Sequence, residues 1–189
     1  VCESFAAAEA DNWLAVGWRL RWQQRLGAYL EWQRRCEAEG WRWQAAEERA
    51  ACSLALPGGG EVALYGRIDR IDAGPAGERL IDYKTKTAKP LRDGLAEDVQ
   101  LPAYALLRAE PLSARAAVSA LYLALDDEVP VAVDCPGDVA ASAIAQGERL
   151  VAAIAAMREG AALPAHGVDA VCRHCPASGL CRRDHVAGA

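Results

Sequence analysis

Residues 65–86 read YGRIDRIDAGPAGERLIDYKTK, two apolar, β-rich runs joined by a Gly/Pro turn. Asp69 stands between Ile68 and Ile71, and Asp82 follows Leu80 and Ile81. A carboxylate flanked by core residues is costly to bury unless something pairs with it. That cost is the first pointer to function. Side chains two apart on a strand share a face, so Asp82 and Lys84 point the same way, with Ile81 and Tyr83 on the other. The short turn lets Asp69 come alongside Asp82.

On either side the periodicity continues the pattern. From Trp41 the period is that of a strand, and Cys52, Leu54 and Leu56 alternate with Ala51, Ser53 and Ala55. PGGG (Pro57 to Gly60) gives a hairpin turn. Val62 to Asp72 is the second strand, Ala73 to Glu78 a turn and Arg79 to Thr85 the third strand, an antiparallel meander. Upstream, Phe5 to Glu39 reads as a helix with Trp18, Trp22, Leu26, Tyr29, Leu30 and Gln33 at helical spacing, and Gly40 stops it. Its arginines suit a solvated face or a contact with a DNA backbone.

Downstream, Leu91 to Asp98 is a polar connection. Val99 to Ala109 is a helix burying Leu101, Tyr104, Ala105 and Leu107, with Pro102 in its first turn. Ala116 to Leu125 is a strand buried on both faces, and Val129 to Val133 a short one. Val139 to Arg158 is an alanine-rich helix packing through Val139, Ile144, Leu150, Val151, Ile154 and Met157. The order predicts a layered α/β (α+β) domain, a mixed sheet with an antiparallel meander flanked by helices.

The chain of 189 residues is long enough for one well-buried domain. We expect a single domain over 1–189, with a helical part at 1–45, a core at 46–160 and a cysteine-containing tail at 161–189, cut from something longer. A net charge of -5 argues against a generally basic nucleic-acid binder, though a catalytic site needs only a local basic path. No charge-free apolar run approaches membrane-spanning length, so no membrane association is expected. Seven cysteines, an odd number, suit a reducing compartment and a metal better than disulfides. Cytoplasm is the expected location.

Converging carboxylates repel unless a proton or cation intervenes. A hard divalent ion with oxygen ligands, Mg²⁺ or Mn²⁺, answers that need. Lys84 would then orient a water or stabilise charge developing on a phosphate. Spacing alone equally permits a strand-pair salt bridge of Asp69 or Asp82 with Lys84, and turn capping by Asp72, and Arg67, Arg70 and Arg79 read as spare positive charges near the site or as solvated strand residues. In the tail, Cys172, Cys175 and Cys181 form a C-x₂-C-x₅-C run followed by His185. Three thiolates at that density point to a metal, and zinc could take them with His185 or His174. Cys36, Cys52 and Cys135 read as ordinary core or surface residues.

GRIDRID, IDYKT and QLPAY (Gln100 to Tyr104), in that order, resemble the PD-(D/E)XK nuclease superfamily with its restriction-endonuclease-like core. They look most like the RecB/AddB-type nuclease domains of bacterial helicase–nucleases and related repair exonucleases. The resemblance spans roughly Ala46 to Cys181. It implies that Asp69 and Asp82 are metal-ligating acids, that the Tyr83 backbone carbonyl is a further ligand, and that Lys84 is the motif lysine. Gln100 and Tyr104 match a Q-x-x-x-Y helix that contacts the lysine or the DNA. Glu47 or Glu48 fits the acid that precedes the first strand. The implied chemistry is metal-dependent hydrolysis of DNA phosphodiesters, more exonuclease than endonuclease, with a helicase domain or subunit as partner. For the tail the resemblance implies a [4Fe–4S] cluster with a fourth, upstream cysteine. Cys2 sits awkwardly for that role. No histidine precedes His166, so the family's upstream histidine is absent from this chain. Two rival readings are a catalytically inactive nuclease-like DNA-binding or scaffold domain, and a zinc-binding interaction module.

Overall fold

The structure, a computed structural model, describes residues 14–75, 77–109, 118–162, 172–173 and 175–181. It divides into two units, Val1–Val151 and Ala152–Ala189. The first carries helix α1 (Leu14–Ala38), strands β1 (Arg42–Ala55), β2 (Glu61–Gly74) and β3 (Gly77–Lys84), and helices α2 (Ala88–Gly94) and α3 (Gln100–Arg108). Strands β4 (Val118–Ala124) and β5 (Val131–Asp134) follow, and then α4 (Val139–Arg158), which runs on into the second unit. A single-turn helix, α5 (Ser178–Cys181), lies in that second unit.

The five strands form one sheet in the order β1-β2-β3-β4-β5. β1, β2 and β3 pair antiparallel, β3 and β4 pair parallel, and β4 and β5 pair antiparallel. A parallel pair needs a crossover connection, and α2 and α3 supply it. The fold is therefore mixed α/β, a five-stranded mixed sheet flanked by helices, in keeping with a restriction-endonuclease-like core.

Each face of the sheet has its own core. On one, Leu80, Ala120, Tyr122 and Ala124 pack with Leu101, Tyr104, Ala105, Leu106 and Leu107 of α3 and with Val139 and Ala143 of α4. On the other, Ile81, Leu121 and Leu123 pack with Trp32 and Cys36 of α1, with Trp22, Tyr29, Trp41 and Tyr83 around them. Asp82 and Lys84 stand on the first face, by their alternation with Ile81 and Tyr83.

Three sequence expectations are corrected. The polar connection at 91–98 is mostly helical, with α2 ending at Gly94 and a 3₁₀ turn over Leu95–Glu97. On α4 the buried line is Val139, Ala143 and Gly147, and Ile144 is exposed. Small residues let the helix lie close to Leu106 and Leu54, which flank Gly147, while Leu150, Val151 and Ile154 are half-buried and Met157 is exposed. On α1, Trp18 and Leu30 are exposed, while the expected Trp22 and Tyr29 do pack and are joined by Trp32 and Cys36. By length and apolarity α4 could cross a membrane, although Glu148 and Arg149 interrupt it.

Candidate active site

The site forms where two strands part. Regular pairing of β2 with β3 runs from Gly74↔Gly77 to Arg70↔Ile81 and stops there. Beyond it, the Tyr83 backbone N–H donates to Asp69 Oδ2 at 3.0 Å. A carboxylate has replaced a main-chain carbonyl, so the strands separate with no buried donor left unpaired. The same point is irregular in β2 itself. Ile68 and Ile71, three apart, both lie in the α3-side core, which strict alternation forbids. By the register on either side, the residue across from Asp69 is Glu47. Glu47 is the one described non-glycine residue with positive φ, at 53°. The distortion therefore spans both strands.

Asp82 is almost wholly buried beside this opening. Its Oδ1 accepts from Gln100 Nε2 at 2.6 Å and from the Tyr104 hydroxyl at 2.9 Å. Its Oδ2 lies 2.7 Å from Lys84 Nζ, an ion pair without hydrogen-bond alignment, and it makes no hydrogen bond although it is buried. Lys84 Nζ donates instead to Gln100 Oε1 at 2.8 Å and sits over the Tyr122 ring, 4.9 Å from its centre. Gln100 thus uses both ends of its amide, one on the acid and one on the lysine. Burial raises the Asp82 carboxyl above the usual aspartate value and nearby Asp69 adds to the rise, while Lys84 and Tyr104 oppose it.

Two supporting residues escaped the sequence reading. Asp98 Oδ1 accepts from the Gln100 N–H and Asp98 Oδ2 from the Leu101 N–H, each at 3.2 Å, which caps the start of α3. The Tyr122 hydroxyl donates to Asp98 Oδ1 at 2.5 Å and ties that cap to β4. An acid two residues before QLPAY was a legible capping signal. Tyr122, inside an apolar run, offered none.

The residues fit a hard divalent cation. Two acids and one lysine leave a net negative charge, and Asp82 Oδ2 is a buried oxygen with unused lone pairs. Among the described residues no three of His, Cys, Asp and Glu gather into a metal group. Mg²⁺ commonly takes one or two carboxylates and completes its shell with water and substrate phosphate, so two acids suffice. The sequence-predicted Asp69, Asp82, Lys84, Gln100 and Tyr104 are brought together here, with Tyr83 between the second acid and the lysine.

Glu47 and Glu48 stay outside this network. The Glu47 carboxylate pairs with Arg67 at 2.9 Å on the exposed side of the sheet, and Glu48 stands across from Ile68 on the half-buried side. Cys172, Cys175 and Cys181 are free thiols, with the Cys175 N–H bonded to the Cys172 carbonyl at 3.1 Å. Cys2, His174 and His185 lie outside the described residues.

The reverse face of the same strands holds a second charged cluster. Asp72, which the sequence assigned to a turn, is fully buried. It accepts two bonds from Arg70, at 2.6 and 3.1 Å, and one from Arg79 at 2.8 Å. Arg70 also donates to the hydroxyls of Tyr29 and Tyr83 at 3.0 and 3.2 Å. Arg79 lies over the Trp41 ring at 4.3 Å, and both guanidiniums face Trp32. Burial opposes the charge on Arg70, but the bonds to Asp72 and Tyr83 outweigh it and its pKa stands above the usual arginine value. Arg70 and Arg79, expected as spare or solvated charges, are structural. They clamp β2 to β3 from behind, Arg70 next to Asp69 and Arg79 three residues before Asp82.

A parting of strands that presents two acids and a lysine has the donor set to hold a hard divalent cation beside a positive charge. The chain matches the family model of the PD-(D/E)XK nuclease superfamily over residues 1–182 and belongs to that superfamily. No curated protein matches it. Among solved structures, the crystal structure of SSO0001 is similar, with a TM-score of 0.46 and 15% identity over 95% of this chain and 75% of that one.

Proposed function

We propose that this chain is a divalent-metal-dependent deoxyribonuclease that hydrolyses phosphodiester bonds from a DNA end, in repair or recombination. The observation that carries the reading is the pairing of Asp82 with Lys84 beside Asp69. It joins a buried acid that keeps an unbonded oxygen to a lysine on the same strand face. When bound by Asp69, Asp82 and the Tyr83 carbonyl, Mg²⁺ or Mn²⁺ supplies Lewis-acid polarisation and a lowered pKa for water. The chain's residues do the positioning. Lys84, 27% exposed, turns its ammonium to the attacking water or to the charge that builds on the phosphate. Gln100 holds that ammonium against Asp82 from one side, and Tyr104 fixes the Asp82 carboxylate from the other. Asp98 and Tyr122 hold the helix that carries Gln100.

Incubating linear single- and double-stranded DNA with Mg²⁺ or Mn²⁺ tests the activity, wild type against Asp82→Ala. We expect degradation by the wild type and none by the variant, with circular dichroism showing that both are folded. Full activity in Asp82→Ala would overturn the assignment. Circular DNA left intact while linear DNA is degraded supports action from ends.

The RecB/AddB-like motif order supports a helicase domain or subunit as partner and a cytoplasmic setting. The cysteine triplet supports an iron–sulfur cluster completed by a fourth ligand. A brown protein with visible absorbance is expected, and zinc by elemental analysis would replace that reading.

A further inference from the structure

We propose that the outer face of the β1–β2 hairpin is a track for the unpaired end of a DNA strand, with Arg49 and Arg67 on backbone phosphates and Tyr65 stacked on a base. The inference rests on the nuclease reading above and adds how substrate is led to it. Along β2 the alternation puts Tyr65 and Arg67 on one face, and Asp69 follows at the irregularity between Ile68 and Ile71. Gly66 turns inward against Leu107, and Ile68 is fully buried. Arg49 stands directly across from Arg67, and Ala51 across from Tyr65. These residues line a shallow open groove.

Within the fold this arrangement costs stability and returns little. Like charges directly opposite on an antiparallel pair repel. Glu47 balances Arg67 at 2.9 Å, but among the described residues Arg49 has no carboxylate partner. Tyr65 is 76% exposed, and its cross-strand neighbour is only an alanine methyl. A polyanion carrying aromatic bases answers both features. Arg67 lies two residues from Asp69, about 7 Å along the strand, so a backbone held there runs to the parting of β2 and β3, where Asp69 bonds the Tyr83 N–H and beyond which Asp82 and Lys84 stand on the α3 face. Stacking on Tyr65 needs an open base face, which an unpaired strand offers all along its length and a duplex only at its two ends. Base–aromatic stacking of that kind tolerates any sequence.

The test is binding by the full chain in EDTA, where cleavage is off. Fluorescence anisotropy would follow labelled oligothymidylate, and a blunt duplex of equal length, across a range of salt. We expect the single strand to bind more tightly. Arg49→Ala should lower the slope of log affinity against log salt by about 0.7, the loss of one phosphate contact, and Arg49→Lys should restore it. Tyr65→Ala should weaken binding by about fivefold to a hundredfold with the slope unchanged, and Tyr65→Trp should retain affinity. Both positions are exposed, so the variants fold. The track is wrong if the wild type binds no single strand, if it binds the duplex equally well, or if Arg49→Ala and Tyr65→Ala bind like the wild type. Failure of the nuclease reading looks different: metal-dependent cleavage is then missing from the wild type or undiminished in Asp82→Ala, whatever the EDTA titrations show.

Discussion

Strands β2 and β3 carry charged clusters on both faces, within a few residues of each other, and the two are built in opposite ways. On the reverse face Asp72 takes three hydrogen bonds from two arginines, and tryptophan rings cover the guanidiniums. On the α3 face Asp82 is buried to a similar degree, yet Oδ2 makes no hydrogen bond. In the first cluster both carboxylate oxygens are hydrogen-bonded, although Arg79 Nε is not, and in the second one carboxylate oxygen is left open. Burial alone therefore does not mark a functional acid. What sets Asp82 apart is an oxygen held only by the ion pair with Lys84, which leaves it lone pairs that a ligand can engage.

Breaking the closed cluster should have the largest effect. Asp72→Ala leaves two buried arginines without their carboxylate and should cost about 3–5 kcal/mol of stability, read from urea unfolding. A loss under about 1 kcal/mol would mean that the cluster is not structural. The open cluster should respond in the other currency. Lys84→Met should cost less stability than Asp72→Ala, since Lys84 is partly exposed and Asp82 can take up a proton, while kcat falls by about 10²–10³. Equal loss of stability in both variants would erase the distinction between the faces.

Mg²⁺ or Mn²⁺ should sharpen the contrast further. An ion at 100 times its Kd stabilises the native state by about 2.7 kcal/mol. The wild type should therefore gain melting temperature, Asp82→Asn should gain none, and Tyr83→Phe on the reverse face should keep most of the gain. A rise that survived in Asp82→Asn would locate the ion elsewhere.

The smallest effect is on the pH dependence of the metal-free protein. The folded state holds the Asp82 proton more tightly than the unfolded chain does, because burial raises its carboxyl. Its contribution to stability is thus full at low pH and declines as pH rises from the ordinary aspartate value through the raised one. Asp82→Asn should flatten that slope in unfolding curves taken at several pH values, and an unaltered slope would count against a raised carboxyl.

The amino-acid sequence by itself determined the meander and the helices at either end of the core, which follow from local periodicity and turn residues and need no knowledge of distant contacts. Asp69, Asp82, Lys84, Gln100 and Tyr104 were singled out by the resemblance of their motifs to a family, since their spacing alone equally permitted a salt bridge. It misjudged Asp72, Arg70 and Arg79 because their roles depend on what covers the strand. Strict alternation cannot put Ile68 and Ile71 in one core. An irregularity shared by β2 and its neighbour β1 does so, and it turns Arg70 and Asp72 beneath the aromatic residues of α1. Asp98 and Tyr122 were likewise set by tertiary packing, which brings β4 under the start of α3. Only the three-dimensional fold decided that one acid of the GRIDRID run would be sealed by arginines. The other was left at the parting of two strands, with its carboxylate standing in for a backbone carbonyl.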